Sequence, residues 1–289
     1  MFQPVIKWSG SKRSQAKQIV DLFPKRIETY YEPFCGGCSV MRQLLNTIEA
    51  GGDIACKHLI CSDLNEYLIS LWQLIKSNPE VVADSYEKHW ESLNKTDDKA
   101  LKRTYFEQIR KEFNTSHKPT DFMFIMRTTT NGMPRFNQNG EFNNSFHITR
   151  DGIHPAKLRK IIIEWSFLLN KYNVEFKNGS YKDILRNVTA NDFVYMDPPY
   201  ANTKGMYFGR FNQQEFFQFV YELPSPWMLS YDGISGKIDN TFPVPETLYD
   251  KHYYIRSGNS SFKRTIGKSK IASSTKVYIL NIDNIYRQH

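Results

Sequence analysis

The 289-residue chain has no uninterrupted apolar run approaching the roughly 18 residues of a membrane span. Its first residues, "MFQPVIKWSGSK", lack the apolar stretch of a signal peptide. Both absences point to a soluble cytoplasmic protein with no membrane partner. No internal repeat is present, so a solenoid is not expected. Cysteine is scarce: the only four are Cys35, Cys38, Cys56 and Cys61. Their spacing, "CGGC" and then "CKHLIC", invites a redox C-x-x-C or a four-thiolate zinc site. A segment that reads as a strand separates Cys56 from Cys61, however, and Cys35 and Cys38 sit inside a glycine turn whose neighbours suggest another task. Free thiols in a reducing compartment, and no metal, are the expectation.

What the sequence does have is enough apolar material, 40% of residues, for a sizeable core. It also has a surplus of cations, 38 Lys and Arg against 30 Asp and Glu, for a formal charge of +8. Such a balance argues for nucleic acid or another acidic partner and says nothing about fold.

Periodicity gives α/β wiring. Val40, Met41, Leu44, Leu45 and Ile48 recur at helical spacing, "HLICSD" reads as a strand, and Leu64, Leu68, Leu71, Trp72 and Ile75 as a second helix. Asn78 and Pro79 resemble a cap and first-turn proline for a helix carrying Val81, Val82 and Tyr86. Leu101, Tyr105, Ile109 and Phe113 mark another helix. Between about 76 and 155 no buried strand is evident, and "RFNQNGEFN" predicts a β-hairpin with its tip at Asn139 and Gly140. We therefore expect one α/β domain over 1–75 and 156–289, with an inserted subdomain over 76–155. After Pro155 a helix carries Leu158, Ile162, Trp165 and Leu169, a short strand lies near "VEF", and an apolar strand runs from Phe193 to Met196. A helix at 212–222 and a strand at "WMLSY" follow, and "HYYIR" and "KVYILN" close as an antiparallel edge hairpin.

Three stretches carry candidate chemistry. "FCGGC" reads either as a plain tight turn or as a turn that lets backbone approach a nucleotide. Asp63, ending the next strand, suits hydrogen bonds from ribose hydroxyls, or else caps the helix beginning at Leu64. In "DPPY", Asp197 ends an apolar strand, where open α/β sheets bind ligands. Pro198 and Pro199 remove two donors and leave carbonyl oxygens to accept, and Tyr200 adds a flat ring. A carboxylate, a proline carbonyl and an aromatic face make a receptor for a planar group bearing an amine, such as a nucleobase; the bland alternative is a proline-rich strand stop.

In this order, "KWSGSK", "EPFCGGCSV", "SDLNEYLISLW", "NGMPRFNQNGEFN" and "DPPY" resemble the Dam-type DNA adenine-N6 methyltransferases over nearly the whole chain. The resemblance implies an open, twisted, mostly parallel sheet of the S-adenosylmethionine-dependent methyltransferase type, with an antiparallel edge hairpin and a mainly helical recognition insertion. It implies S-adenosylmethionine as cofactor, held by Trp8, Lys12, Phe34, Gly36, Asp63 (on the ribose), Asp183 and Asp197. The catalytic set is Asp197, Pro198, Pro199 and Tyr200, acting on an adenine flipped out of double-stranded DNA. Lys7 and Arg135 match positions that touch bases, and Asn131, Met133, Pro134 and Asn137 belong to the same recognition hairpin. Arg135 suits bidentate contact with guanine, or else a phosphate contact or a solvated charge. Lys263 and Arg264 lie in a basic stretch, 256–270, without an acid, which reads as a phosphate-binding or simply solvated loop. Cys38 stands where the family has a small residue, and Thr130 where its best-known members carry an aromatic wedge. A restriction nuclease is the expected partner, and a monomer or weak dimer the expected state. The rivals are an amino-methylating enzyme of the same fold acting on cytosine or RNA, and a DNA-binding regulator without chemistry.

Overall fold

The computed structural model describes residues 2–199, 211–235, 238–257 and 273–280. In chain order the elements are α1 (Ala16–Val20), β1 (Arg26–Glu32), α2 (Ser39–Glu49), β2 (Ala55–Asp63), α3 (Glu66–Ser77), α4 (Pro79–Leu93), α5 (Lys99–Ser116), α6 (Pro119–Thr128) and α7 (Pro155–Lys171). Then come β3 (Glu175–Asn178), α8 (Tyr181–Ile184), β4 (Phe193–Met196), α9 (Gln213–Tyr221), β5 (Trp227–Ser235), β6 (Ile238–Asp239), β7 (Lys251–Ser257) and β8 (Ser273–Leu280). They fall into two compact units: one joins the residues up to Ser11 with Asn65–Asn178, the other joins Lys12–Leu64 with the described residues from Gly179 onward.

In the second unit the strands lie in the order β2-β1-β4-β5-β8-β7, with β6 paired to β5. β2, β1, β4 and β5 are parallel, and β8 and β7 run antiparallel at the edge, the mixed sheet expected from the sequence. All of Phe193, Val194, Tyr195 and Met196 are buried, as a central parallel strand covered on both faces requires. Tyr31, Val194, Met196, Phe216, Trp227 and Tyr231 share one core cluster. Strand order reverses between β1 and β4, so the carboxyl ends of these strands flank the crevice where open α/β sheets hold ligands.

The first unit is helical. Trp72 of α3 stacks on Trp165 of α7 at 5.1 Å and on Phe176 of β3 at 5.7 Å. Arg159 of α7 clasps Glu80, Asp84 and Glu87 of α4. The hairpin appears where Asn139 and Gly140 place it: Phe136 and Phe142 bridge antiparallel, and Gly140 takes φ 79°. Phe136 stacks on Tyr67 of α3 at 5.6 Å, which anchors the hairpin to the helices.

Local expectations fail at three places. Helix α3 begins after Leu64, and its cap is Asn65, whose side chain accepts from the Leu68 N–H at 3.0 Å; Asp63 is therefore released from capping. Asn78 makes no side-chain cap bond, so Pro79 alone marks the start of α4. Val81 and Leu101 are 52% and 57% exposed, because each lies about 100° around its helix from the buried Val82 or Lys102, off the buried stripe.

Candidate active site

The turn after β1 and the end of β2 are tied together by backbone. Cys35 N–H donates to the Ser62 carbonyl at 2.9 Å, and Gly36 N–H donates to Asp63 Oδ2 at 3.2 Å. Gly36, at φ 45°, lies in the left-handed region that glycine tolerates best. Asp63 also accepts, through its main-chain carbonyl, the Gly179 N–H at 3.3 Å, which brings in the segment leading to α8. The Phe34 ring packs on Tyr181 at 5.6 Å, so Phe34, Gly36, Asp63 and the 179–183 segment converge on the carboxyl ends of β1 and β2. Asp183 lies in α8, where its carboxylate accepts from Ser180 Oγ at 2.6 Å and pairs with Arg186.

Asp197 follows β4 directly. Lys12 Nζ lies 2.7 Å from both of its carboxylate oxygens, and the lysine side chain is only 6% exposed. An ion pair this well covered is screened far less than one at the surface. The Pro199 carbonyl accepts from Gln213 Nε2 at 3.2 Å, and Gln213 Oε1 accepts from Tyr231 at 2.7 Å. Of the two proline carbonyls expected to be open acceptors, that of Pro199 is thus already engaged by the chain. Tyr200, Lys263 and Arg264 lie outside the described residues.

Glu32, the last residue of β1, is buried. Its carboxyl accepts from Tyr30 at 2.7 Å and from the Met41 N–H at 2.9 Å. Burial pushes its pKa up to about 8, against the pull of those two bonds. Cys35, Cys38 and Cys61 are free and buried, and burial pushes their thiols up, that of Cys35 to about 12. Cys38, the departure in the glycine turn, is the left-handed residue at φ 51° that starts α2, with its side chain inward.

The remaining candidates belong to the helical unit. Ser9 N–H donates to the Gly132 carbonyl at 3.0 Å, and a Cβ at Gly132 would come within 2.8 Å of Lys7 Cβ, so Gly132 lets the segment bearing Lys7 and Trp8 lie against the turn. Asn131 sits at φ 58°. Asn144 Nδ2 donates to the Thr130 and Met133 carbonyls, both at 3.0 Å, and fixes that turn. Arg135 is exposed and Met133 half-buried, whereas Pro134 is buried and suited to shaping the chain. Asn137 Oδ1 accepts from the Asn139 and Glu141 N–H groups and so pins the hairpin tip.

Sequence reasoning missed the cations around Lys7. Its ammonium is brought down to about 8 by burial, then by Arg150 and Arg127. Arg127 is itself buried in α6 and is lowered by burial, with the Tyr86 hydroxyl as a partial offset. His147 is lowered by burial and by the charges of Arg150 and Lys7. The His147 N–H donates to the Thr128 carbonyl at 3.0 Å, which places this residue beside the end of α6. The signal was the lone Arg in the apolar "FMFIMR".

Among the described residues no helix is long and apolar enough to cross a membrane, and no cluster of His, Cys, Asp or Glu could hold a metal ion.

Residues 8–272 match the family described as D12 class N6 adenine-specific DNA methyltransferase. The type II methyltransferase M.FokI of Planomicrobium okeanokoites is 30% identical over 96% of the chain, which spans 43% of that protein. The retron Ec67 DNA adenine methylase of Escherichia coli is 25% identical over 96% of the chain and 90% of its own length. The DNA adenine methylase of Salmonella typhi is 33% identical over 68% of the chain and 64% of its own. The chain thus spans less than half of the first of these relatives. With the sheet order and the residues gathered at its strand ends, these matches show that the chain belongs to the D12 class of N6 adenine-specific DNA methyltransferases.

Proposed function

We propose that the protein transfers a methyl group from S-adenosylmethionine to the 6-amino group of adenine in double-stranded DNA. One observation carries the reading: a carboxylate, Asp197, at the carboxyl end of a buried central strand at the point where strand order reverses. The donor set around it fits the cofactor. Asp63 suits the paired hydroxyls of a ribose, Gly36 allows close approach, and Lys12 offers an ammonium to a carboxylate. When bound, the cofactor supplies an electrophilic methyl on a sulfonium.

The chain's own part is to hold the amine. Asp197 accepts one N–H, and an adjacent carbonyl accepts the other. Drawing the two protons aside bends the nitrogen toward tetrahedral geometry and concentrates its lone pair for in-line attack. Lys12 must share or yield the Asp197 oxygen that the amine takes. Adenine stacked in a duplex is out of reach, so it must be flipped at a cost of a few kcal/mol. Contacts to DNA from Lys7 and Arg150 offset that cost, with the buried Arg127 adding positive field from behind them, and Arg135 suits a guanine edge in the major groove. A restriction nuclease as partner, and a monomer or weak dimer in solution, belong to the same proposal.

The test is incubation of duplex DNA with labelled cofactor, followed by nucleoside analysis. Label in N6-methyladenine is expected; label on cytosine or on protein alone would overturn the reading. Asp197→Ala should lower transfer by about 1,000-fold or more, the size of effect seen when a group acting in the transition state is removed, while nonspecific DNA binding stays near wild type.

A further inference from the structure

Asp197 is approached from a second side, by a hydroxyl of the neighbouring strand. Ser230 of β5 is fully buried, and its Oγ lies 2.9 Å from Asp197 Oδ1, 3.4 Å from the Met196 carbonyl and 2.9 Å from the hydroxyl of Tyr195. A serine hydroxyl has one proton to give. The shorter, charge-assisted contact to the carboxylate takes it in preference to the longer one to the carbonyl. With that proton committed, the 2.9 Å contact to Tyr195 is a hydrogen bond only if Tyr195 donates. Burial, then the nearby Asp197 charge, raise the Tyr195 phenol well above its ordinary range, so it keeps the proton it must give. The direction of the chain is therefore fixed: Tyr195 to Ser230 to Asp197.

We propose that Ser230, polarised by Tyr195, is a positioning residue that fixes the rotation of the Asp197 carboxylate. The inference rests on the proposed function. Lys12 spans both oxygens and has to share or yield one as the amine arrives, whereas Ser230 grips Oδ1 from inside the sheet, where no ligand displaces it. Tyr195 and Asp197 are two apart on one chain, and β5 lies beside β4 with Tyr195 opposite Met228, so the backbone register sets all three groups. The hydroxyls thus hold one oxygen still while the other receives the amine.

The experiment uses the full chain, a duplex carrying 2-aminopurine at the target adenine for the flipping signal, and the natural duplex for single-turnover methyl transfer. Ser230→Ala should slow single-turnover transfer by about tenfold or more, the worth of one charge-assisted hydrogen bond. The cofactor Kd and the 2-aminopurine signal should remain at wild-type values at a temperature where both proteins are fully folded, and Tyr195→Phe in the same background should recover part of any fall in melting temperature without recovering the rate. Ser230→Thr, which keeps the hydroxyl, should restore most of the rate. Tyr195→Phe should slow transfer less than Ser230→Ala does, and should cost nothing further in the Ser230→Ala background, because its effect runs through that hydroxyl. Additive losses in the double variant, a Ser230→Ala rate equal to wild type, or a loss that follows cofactor affinity or melting would each overturn the inference. Should the wild type itself transfer no methyl to adenine, the functional reading fails first, which separates the two outcomes.

Discussion

The two charged regions are built on opposite electrostatic plans. At the end of β4 the acid is met at once by a covered lysine and an internal hydroxyl, so its charge is balanced before any ligand arrives. Around Lys7 the leading influences are burial and two further cations, which disfavour the charge on the lysine. On the proposed function, the first arrangement holds the acid's geometry at rest until the amine arrives. The second is held under repulsion that an anion relieves. On the same proposal, chemistry and DNA affinity fall to separate groups, and substitutions should affect one without the other.

The comparison is broken most severely from the catalytic side. Lys12→Met should lower kcat/KM by about 100-fold, since an acid left in a covered site without its cation is strongly disfavoured, and titration calorimetry should show weaker cofactor binding with unchanged affinity for DNA. On the other side, Arg150→Met should weaken DNA binding by about tenfold at low salt and make the plot of log affinity against log salt shallower by about one unit, with the cofactor Kd unchanged. A smaller effect is expected from pH. As pH rises through about 8 the Lys7 ammonium loses its proton, so DNA affinity should fall between pH 7 and 9 in wild type and stay level in Lys7→Arg.

The smallest effect sharpens the comparison by using a buried acid that meets no cation among the described residues. Glu32 ionises near 4.5 in the unfolded chain and near 8 when folded. Between those values the folded protein keeps a proton that the unfolded chain has released, so this group's contribution to stability falls as pH rises from about 4.5 to about 8. Glu32→Gln keeps an acceptor for Tyr30 and Met41 and removes that dependence. Its melting temperature should exceed wild type by about 2 °C or more at pH 8, and by less at pH 5.

Most of the sheet could be read from the sequence, because period and strand-end position are local properties. The run from Phe193 to Met196 announces a buried strand, and the carboxylate after it announces a crevice. Asp63 was harder, since the same residue type caps helices, and the ambiguity lifts only once Asn65 is seen to cap α3. The groups that tune the site were not legible. Ser230 sits in "WMLSY" and Arg127 in "FMFIMR", where a polar residue amid apolar neighbours reads as an exception. Their partners arise from strand order and packing: Ser230 and Asp197 are 33 positions apart, and Glu32 serves an N–H nine positions away on another element. The compact units bring α3 and α7 together with α4 to α6, a grouping made by packing that no local period announces.

The inward thiols of the glycine turn, Cys35 and Cys38, and that of Cys61 on β2 have a practical consequence. Cys35, Cys38 and Cys61 are shielded from solvent and held in their unreactive protonated form, so a small alkylating reagent reaches them only when this corner of the sheet opens. Their rate of consumption, followed by mass spectrometry, is a clock for that opening in the unmodified protein. A ligand that seats against the turn should slow the clock in proportion to its occupancy.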